Sequence, residues 1–177
     1  MISDIASFLR YFEGVHKRTV RDVSALPEAA ERWKPEPRPD EEASWGAPRI
    51  IRHIAEARGF FASAFRDDGW VWTDLPESPS RDAWGPLLDR SFSDLEKALA
   101  DVPQERLTEK VELIGGLGRP VSAWRLLMMM AEHEVHHRSQ LATYAGLNGW
   151  PVQQIFGQRY EDVVAQREAE LRRSRPT

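Results

Sequence analysis

Cysteine is absent from this 177-residue chain. That absence excludes disulfides, thiolate nucleophiles, iron–sulfur ligation and every thiolate zinc site. Any metal would have to be held by nitrogen and oxygen. Long apolar runs are missing too, since no segment approaches eighteen uncharged apolar residues, so no membrane partner is expected. Residues Met1 to Arg10 carry Ser3, Asp4 and Arg10 rather than a charged start and a long apolar stretch, which reads as a soluble cytoplasmic protein with no leader. Positive charge is not in excess: 24 Lys and Arg stand against 28 Asp and Glu, a formal net of −4, so no basic field collects phosphates and nucleic acid is not an expected partner. No Gly-x-Ser-x-Gly elbow offers a nucleophile. The glycine cluster at 115–118 lacks the Lys-Ser/Thr of a phosphate loop and reads as a turn. What is present is a 41% hydrophobic fraction, and a chain of this length buries about two thirds of its unfolded surface, so one domain with one core is expected.

The apolar residues fall at helical spacing. Ile2, Ile5, Leu9, Phe12, Val20 and Val23 recur at three- and four-residue steps, with Ser3 as a candidate cap. From Leu26 to Pro48, five prolines and the Asp40-Glu41-Glu42 run predict a long surface connection. Ile50, Ile54, Ala57, Phe60, Phe61 and Ala64 define a second helix, with Pro48 in its first turn and its end near Asp67-Asp68-Gly69. Ser80 caps a third, striped by Trp84, Leu87, Leu88, Phe92, Leu95 and Leu99. Lys110 to Ile114, the glycine cluster and Arg119 to Val121 fit a small hairpin. Ser122 caps a fourth helix reaching about Leu147, and Tyr160 to Arg173 fits a short charged fifth. Long helices without strand–helix alternation predict an all-α fold: an antiparallel four-helix bundle with a small hairpin before the last long helix.

The histidines carry the chemistry. On the fourth helix, at about 100° per residue with Trp124 at zero, Leu127, Met128, Ala131, Val135, Ala142 and Ala145 cluster between about 300° and about 40°. Leu126, Met130, Leu141 and Tyr144 extend that stripe back to about 200°. His133 and His137 lie at its edge and His136 on the solvated side. An i, i+4 pair puts two imidazoles one turn apart, where both reach one divalent ion at about 2.0 to 2.1 Å. Spacing alone is weak, because such pairs are more often surface or packing residues, and a third ligand must come from elsewhere. His53 borders the apolar stripe of the second helix, so the three imidazoles converge if both helices face one core. His16, on the apolar face of the first helix, reads first as a core histidine bonded to a backbone group or a carboxylate, and second as a residue beside the ligands or facing substrate. Glu134 and Arg138 fall near the centre of the buried arc. They read either as structural ion pairs between helices or across a dimer, or as groups orienting a ligand histidine.

These residues carry a resemblance. The His53-Ile-Ala-Glu56 segment, the later Glu132-His133-Glu-Val-His-His137-Arg-Ser-Gln-Leu141 run, and the helix and hairpin between them are similar to the DinB-like (YfiT-like) superfamily of metal-dependent proteins. The similarity spans roughly residues 1–158 as one bundle domain and leaves 159–177 as a charged helix or tail packed on it or extending from it. The resemblance implies a four-helix bundle, often a homodimer, holding one divalent ion on His53, His133 and His137. Family members with a known activity are bacillithiol- or mycothiol-dependent S-transferases and a thiol-dependent isomerase. The isomerase type has a glutamate among its ligands, and this chain departs from it with three histidines.

Three neutral imidazoles leave a coordination position for water or substrate. The expectation that follows is a divalent-metal-binding protein acting as a thiol-dependent S-transferase on a small electrophile, with the low-molecular-weight thiol supplied from outside. Two alternatives stay open: a hydrolase using metal-bound water, and a non-catalytic protein whose ion ties helices together. Imidazole suits zinc, nickel and iron alike, with zinc or nickel leading. Seven tryptophans favour a homodimer.

Overall fold

Asp4 starts the first helix, α1 (Ile5–Ser24), because its carboxylate accepts from the Ser7 amide while the Ser7 hydroxyl reaches back to Asp4 in a reciprocal cap. The cap is therefore Asp4, and Ser3 only donates to it. The computed structural model describes residues 3–37, 39, 43–116, 118–154 and 157–174. Ile2, the Asp40-Glu41-Glu42 run, Leu117 and the last three residues of the expected C-terminal tail lie outside the described residues.

Helix α2 (Ala47–Arg66) has Pro48 in its first turn and ends at Asp67, whose φ of 76° is the left-handed conformation that closes a helix. A single 3₁₀ turn capped by Ser80 leads into α3 (Trp84–Ala100). The hairpin reduces to two short antiparallel strands, β1 (Lys110–Val111) and β2 (Val121–Ser122), with a glycine-containing turn between them. Helix α4 (Ala123–Leu147) follows directly. The Ser122 side chain makes no cap bond and instead accepts from the Lys110 ammonium. Helix α5 (Tyr160–Arg173) lies at the predicted bounds and buries no side chain.

Contacts between helices fix their directions. His16 meets Asp89 and Phe12 meets Phe92, so α1 and α3 run antiparallel. His53 meets His137 and Phe61 meets His133, so α2 and α4 do as well. Thr19 meets Glu134 and Asp22 meets Arg138, which makes α1 parallel to α4. Arg58 and Arg66 reach the Leu88 and Ala98 carbonyls, which makes α2 parallel to α3. The bundle is thus up, down, down, up, and α1 and α2 each pack on both α3 and α4.

The Leu26–Pro48 connection is more than a surface strap. Leu26 and Ala30 are buried and Trp33 and Trp45 pack on the core, because apolar side chains along it cover one end of the bundle. The apolar interior falls into two halves. One is built around Phe8, Phe12, Phe65, Leu99 and Leu126, and the other around Ile50, Ile51, Trp84 and Leu141. Each fully buried side chain of this size contributes about 1.5–3 kcal/mol. Between the halves lies a layer of buried polar groups, and the histidine cluster flanks it.

Candidate metal centre

Helix α2 contributes His53, and one turn of α4 contributes His133 and His137. Their Nε2 atoms converge: His53 to His133 at 3.0 Å and His137 to His133 at 3.2 Å. All three ligand atoms lie within 4.8 Å of one another. A tetrahedral ion with bonds of about 2.0–2.1 Å spaces its ligands about 3.3 Å apart, so these separations match the edge of such a site. His136 is exposed; its ring lies edge-on 5.0 Å from that of His137, but it contributes no atom to the cluster.

The donor set fits a cation. His137 Nδ1–H donates to the Gln140 side-chain oxygen at 3.0 Å, which leaves the lone pair of neutral His137 on Nε2, facing the other two rings. Gln140 is itself held, its amide nitrogen donating to the Tyr144 hydroxyl at 2.9 Å. Burial keeps the rings neutral. His133 is pushed from the ordinary 6.5 down to about 3, first by burial and then by His137, His53 and His136 nearby. His53 falls to about 4, first by burial, then by His137 and Arg49. His137 is also lowered, mainly by burial, with the Gln140 bond opposing. Neutral imidazoles with lone pairs crowded together are the state a divalent ion requires and relieves.

Aromatic rings surround the cluster. The Trp45 ring lies 5.0 Å from His53 and stacks at 12° over His137, while Trp72 lies 5.4 Å from His53 and Phe61 5.9 Å from His133. These apolar walls supply the desolvation that lowers the imidazole pKa values.

His16, Glu134 and Arg138 make no hydrogen bond or ion pair to the three rings among the described residues; they belong to the polar layer. Arg58 is its hub, with all five guanidinium N–H groups occupied. Nε and Nη2 donate to Glu134, Nη1 to the Leu88 carbonyl and the Ser91 hydroxyl, and Nη2 also to His16 Nδ1 at 3.2 Å. Thr19 donates to the same Glu134. His16 in turn donates from Nε2 to Asp89 at 3.1 Å and stacks on Phe92. Burial and the Arg58 charge hold its pKa below the ordinary value against Glu134 and Asp89. Arg138 pairs with Asp22 on α1 at 2.8 Å. Glu134 and Arg138 therefore sit in interhelical ion pairs with separate partners, and they do not pair with each other.

Sequence reasoning missed Arg58, Gln140, Trp45 and Trp72. Gln140 carried a signal, three residues beyond His137 on the same helix face. Arg58 also carried one, set among Ile51, Ile54 and Phe65 on its helix with a complementary buried Glu134 available. Trp45 and Trp72 lie on irregular segments where no periodicity points to them.

Comparison with known proteins agrees with this architecture. The DinB family model matches residues 1–169, and the chain belongs to the DinB family. It is 24% identical over 120 residues to the uncharacterized protein YjoA of Bacillus subtilis (strain 168), covering 67% of this chain and 77% of that one. A DinB-like protein of Bacillus cereus ATCC 10987 superposes with a TM-score of 0.69 at 20% identity, over 87% of this chain and 99% of the other. The crystal structure of YjoA superposes with a TM-score of 0.65 at 21% identity, over 86% and 99%. At these identities the structural likeness shows the fold alone. Among the described residues, no helix is long and apolar enough to cross a membrane.

Proposed function

We propose that this protein is a divalent-metal enzyme that transfers a low-molecular-weight thiol to a small electrophile. The observation that carries the reading is the convergence of three neutral imidazole Nε2 atoms, with no carboxylate or thiolate joining the cluster among the described residues. A structural site normally closes with four protein ligands, whereas three favour an open position and hence chemistry. When bound there, a divalent ion supplies the positive charge that deprotonates a thiol, or a water molecule, near neutral pH.

The chain's own groups do the rest. Gln140 fixes the tautomer and aim of His137, the Arg58–Glu134 pair holds α2 against α4 so that His53 meets His133, and Trp45, Trp72 and Phe61 limit water around the rings. The chain has no cysteine, so the sulfur nucleophile is a second substrate. The reaction forms one carbon–sulfur bond and breaks the thiol S–H bond together with either the electrophile's bond to a leaving group, which departs with the electron pair, or its π bond, whose far atom takes up the proton. Zinc or nickel suits the nitrogen donors. The open position equally supports hydrolysis by activated water.

A turnover screen separates the readings. Metal-loaded protein is assayed against a panel of cellular thiols with model electrophiles, and in parallel against esters and amides without thiol. The transferase reading expects thiol-dependent product that disappears with chelator and in His53→Ala. Hydrolysis without thiol favours activated water, and inertness in both arms with metal bound favours a purely structural ion.

A further inference from the structure

The loop between α2 and α3 places a large apolar ring beside the histidines and leaves it open. Trp72 is 41% exposed, although its ring lies 5.4 Å from His53. Exposure alone is ordinary for a surface tryptophan; what sets Trp72 apart is that its exposed ring is held between His53 and Phe60 at the histidine cluster. Behind it runs a continuous aromatic chain. Trp72 lies 5.3 Å from Phe60, Phe60 is 4.9 Å from Trp70, Trp70 is 5.9 Å from Phe61, and Phe61 reaches His133.

The loop that carries Trp70 and Trp72 is pinned. The Val71 amide donates to the Ser63 hydroxyl at 3.0 Å, the Trp70 indole to the Glu112 carbonyl at 2.9 Å, and the Leu75 amide to the buried Glu56 carboxylate at 2.9 Å. The Trp72 indole N–H is itself engaged by Asp74 at 3.1 Å, so the ring offers its apolar surface rather than a donor. Trp45, on the other flank of His53, is already occupied: the Arg49 guanidinium lies 4.2 Å from its ring centre and His137 stacks against it.

We propose that Trp72, backed by Phe60 and Trp70, is an aromatic shelf that seats a flat, uncharged aromatic or conjugated part of the ligand whose polar end meets the three-histidine centre. The assignment rests on that centre holding a divalent ion. The charge of such an ion disfavours a cationic ligand at this distance, which sets the shelf apart from a cage for ammonium groups.

Two metal-chelating probes that differ only in their apolar end test this. Full-length protein loaded with cobalt(II) is titrated with benzohydroxamic and acetohydroxamic acid, with the visible spectrum as readout and metal content measured on the same samples. Stacking plus area burial should favour the aromatic probe about tenfold. In Trp72→Ala the ratio of the two affinities should shrink to about twofold or less, over and above any change common to both probes, and Trp72→Phe should restore most of it. Trp124→Ala removes an equally exposed tryptophan, 40% accessible, on the far side of α4 from His133, and should leave the preference intact. A preference that survives Trp72→Ala, or a metal-loaded wild type that holds both probes equally, overturns the shelf alone. A wild type that takes up no cobalt overturns the centre, and the shelf with it.

Discussion

Arg58 and Glu134 meet in a two-bond ion pair, Nε to Oε2 at 3.0 Å and Nη2 to Oε1 at 2.8 Å, with side chains only 1% and 2% exposed. Glu134 is the residue after His133, and Arg58 lies on the helix that carries His53. The pair therefore fixes the register of α2 against α4 at the level where the imidazoles meet.

Removing one partner leaves a buried charge without its counterion, so Glu134→Ala should destabilise the protein by about 3–5 kcal/mol. The double variant Glu134→Leu with Arg58→Met should recover a large part of that loss. Urea unfolding midpoints of the singles and the double decide it, and a double variant no more stable than Glu134→Ala would contradict this account of the pair.

Gln140 acts on the centre through His137. Gln140→Ala should weaken metal binding by about 10–100-fold while changing unfolding stability little, because it frees the His137 ring without emptying the core. Gln140→Glu keeps an acceptor for the Nδ1 proton and should retain most of the affinity. Competition with a chromophoric chelator measures both, and equal losses in the two variants would argue that the side chain merely fills space.

Acid should destabilise the metal-free protein through the histidines. Their pKa is about 6.5 in the unfolded chain, against about 3 for His133 and about 4 for His53 in the fold. Between those values the unfolded state binds more protons, so stability rises with pH. The contribution is complete above about 6.5 and is lost as pH falls toward 4 and then 3. Melting temperatures in chelator at several pH values should fall across this window, and the slope should be shallower in His133→Gln. An unchanged slope in that variant would remove the histidines from the effect.

His136 is a neighbour of the cluster without being part of it. His136→Ala should bind metal like the wild type, whereas His53→Ala, His133→Ala and His137→Ala should each lose it. Elemental analysis of the purified proteins reads this directly, and metal lost only in the His136 variant would sink the ligand assignment.

Much of this was legible before any coordinates. Pro48 and the Asp67-Asp68-Gly69 stretch bound α2 where the structure has it, because local backbone chemistry decides helix ends, and the charged segment Tyr160–Arg173 is helical as expected. Helix α4 shows the limit. Its apolar residues point to a stripe that includes Trp124 and Val135, yet both are exposed; Glu134 and Arg138 are buried, as their place near the centre of the arc implies, and His137, at its edge, is buried too. Hydrophobic periodicity marks where the buried arc lies but not which residues at its margins are covered, because this face also carries ion pairs and two of the clustered imidazoles. The pairing of His133 with His137 is legible because helical spacing is rigid, whereas His53 joins them through the family resemblance and the facing of two apolar stripes. Phe61 was legible on α2, but Trp45 and Trp72 beside the histidines come from loops, whose course depends on tertiary contacts such as Glu56 with the Leu75 amide.

The coordination sphere itself is the most direct test of the central claim. X-ray absorption on protein reconstituted with zinc or nickel, paired with metal content per chain, counts the ligands. One ion per chain, with three imidazole nitrogens and an exchangeable oxygen donor, is the result predicted by His53, His133 and His137 at their observed spacing. A closed sphere with a fourth protein ligand and no exchangeable donor, or a chain that retains no ion, would contradict it.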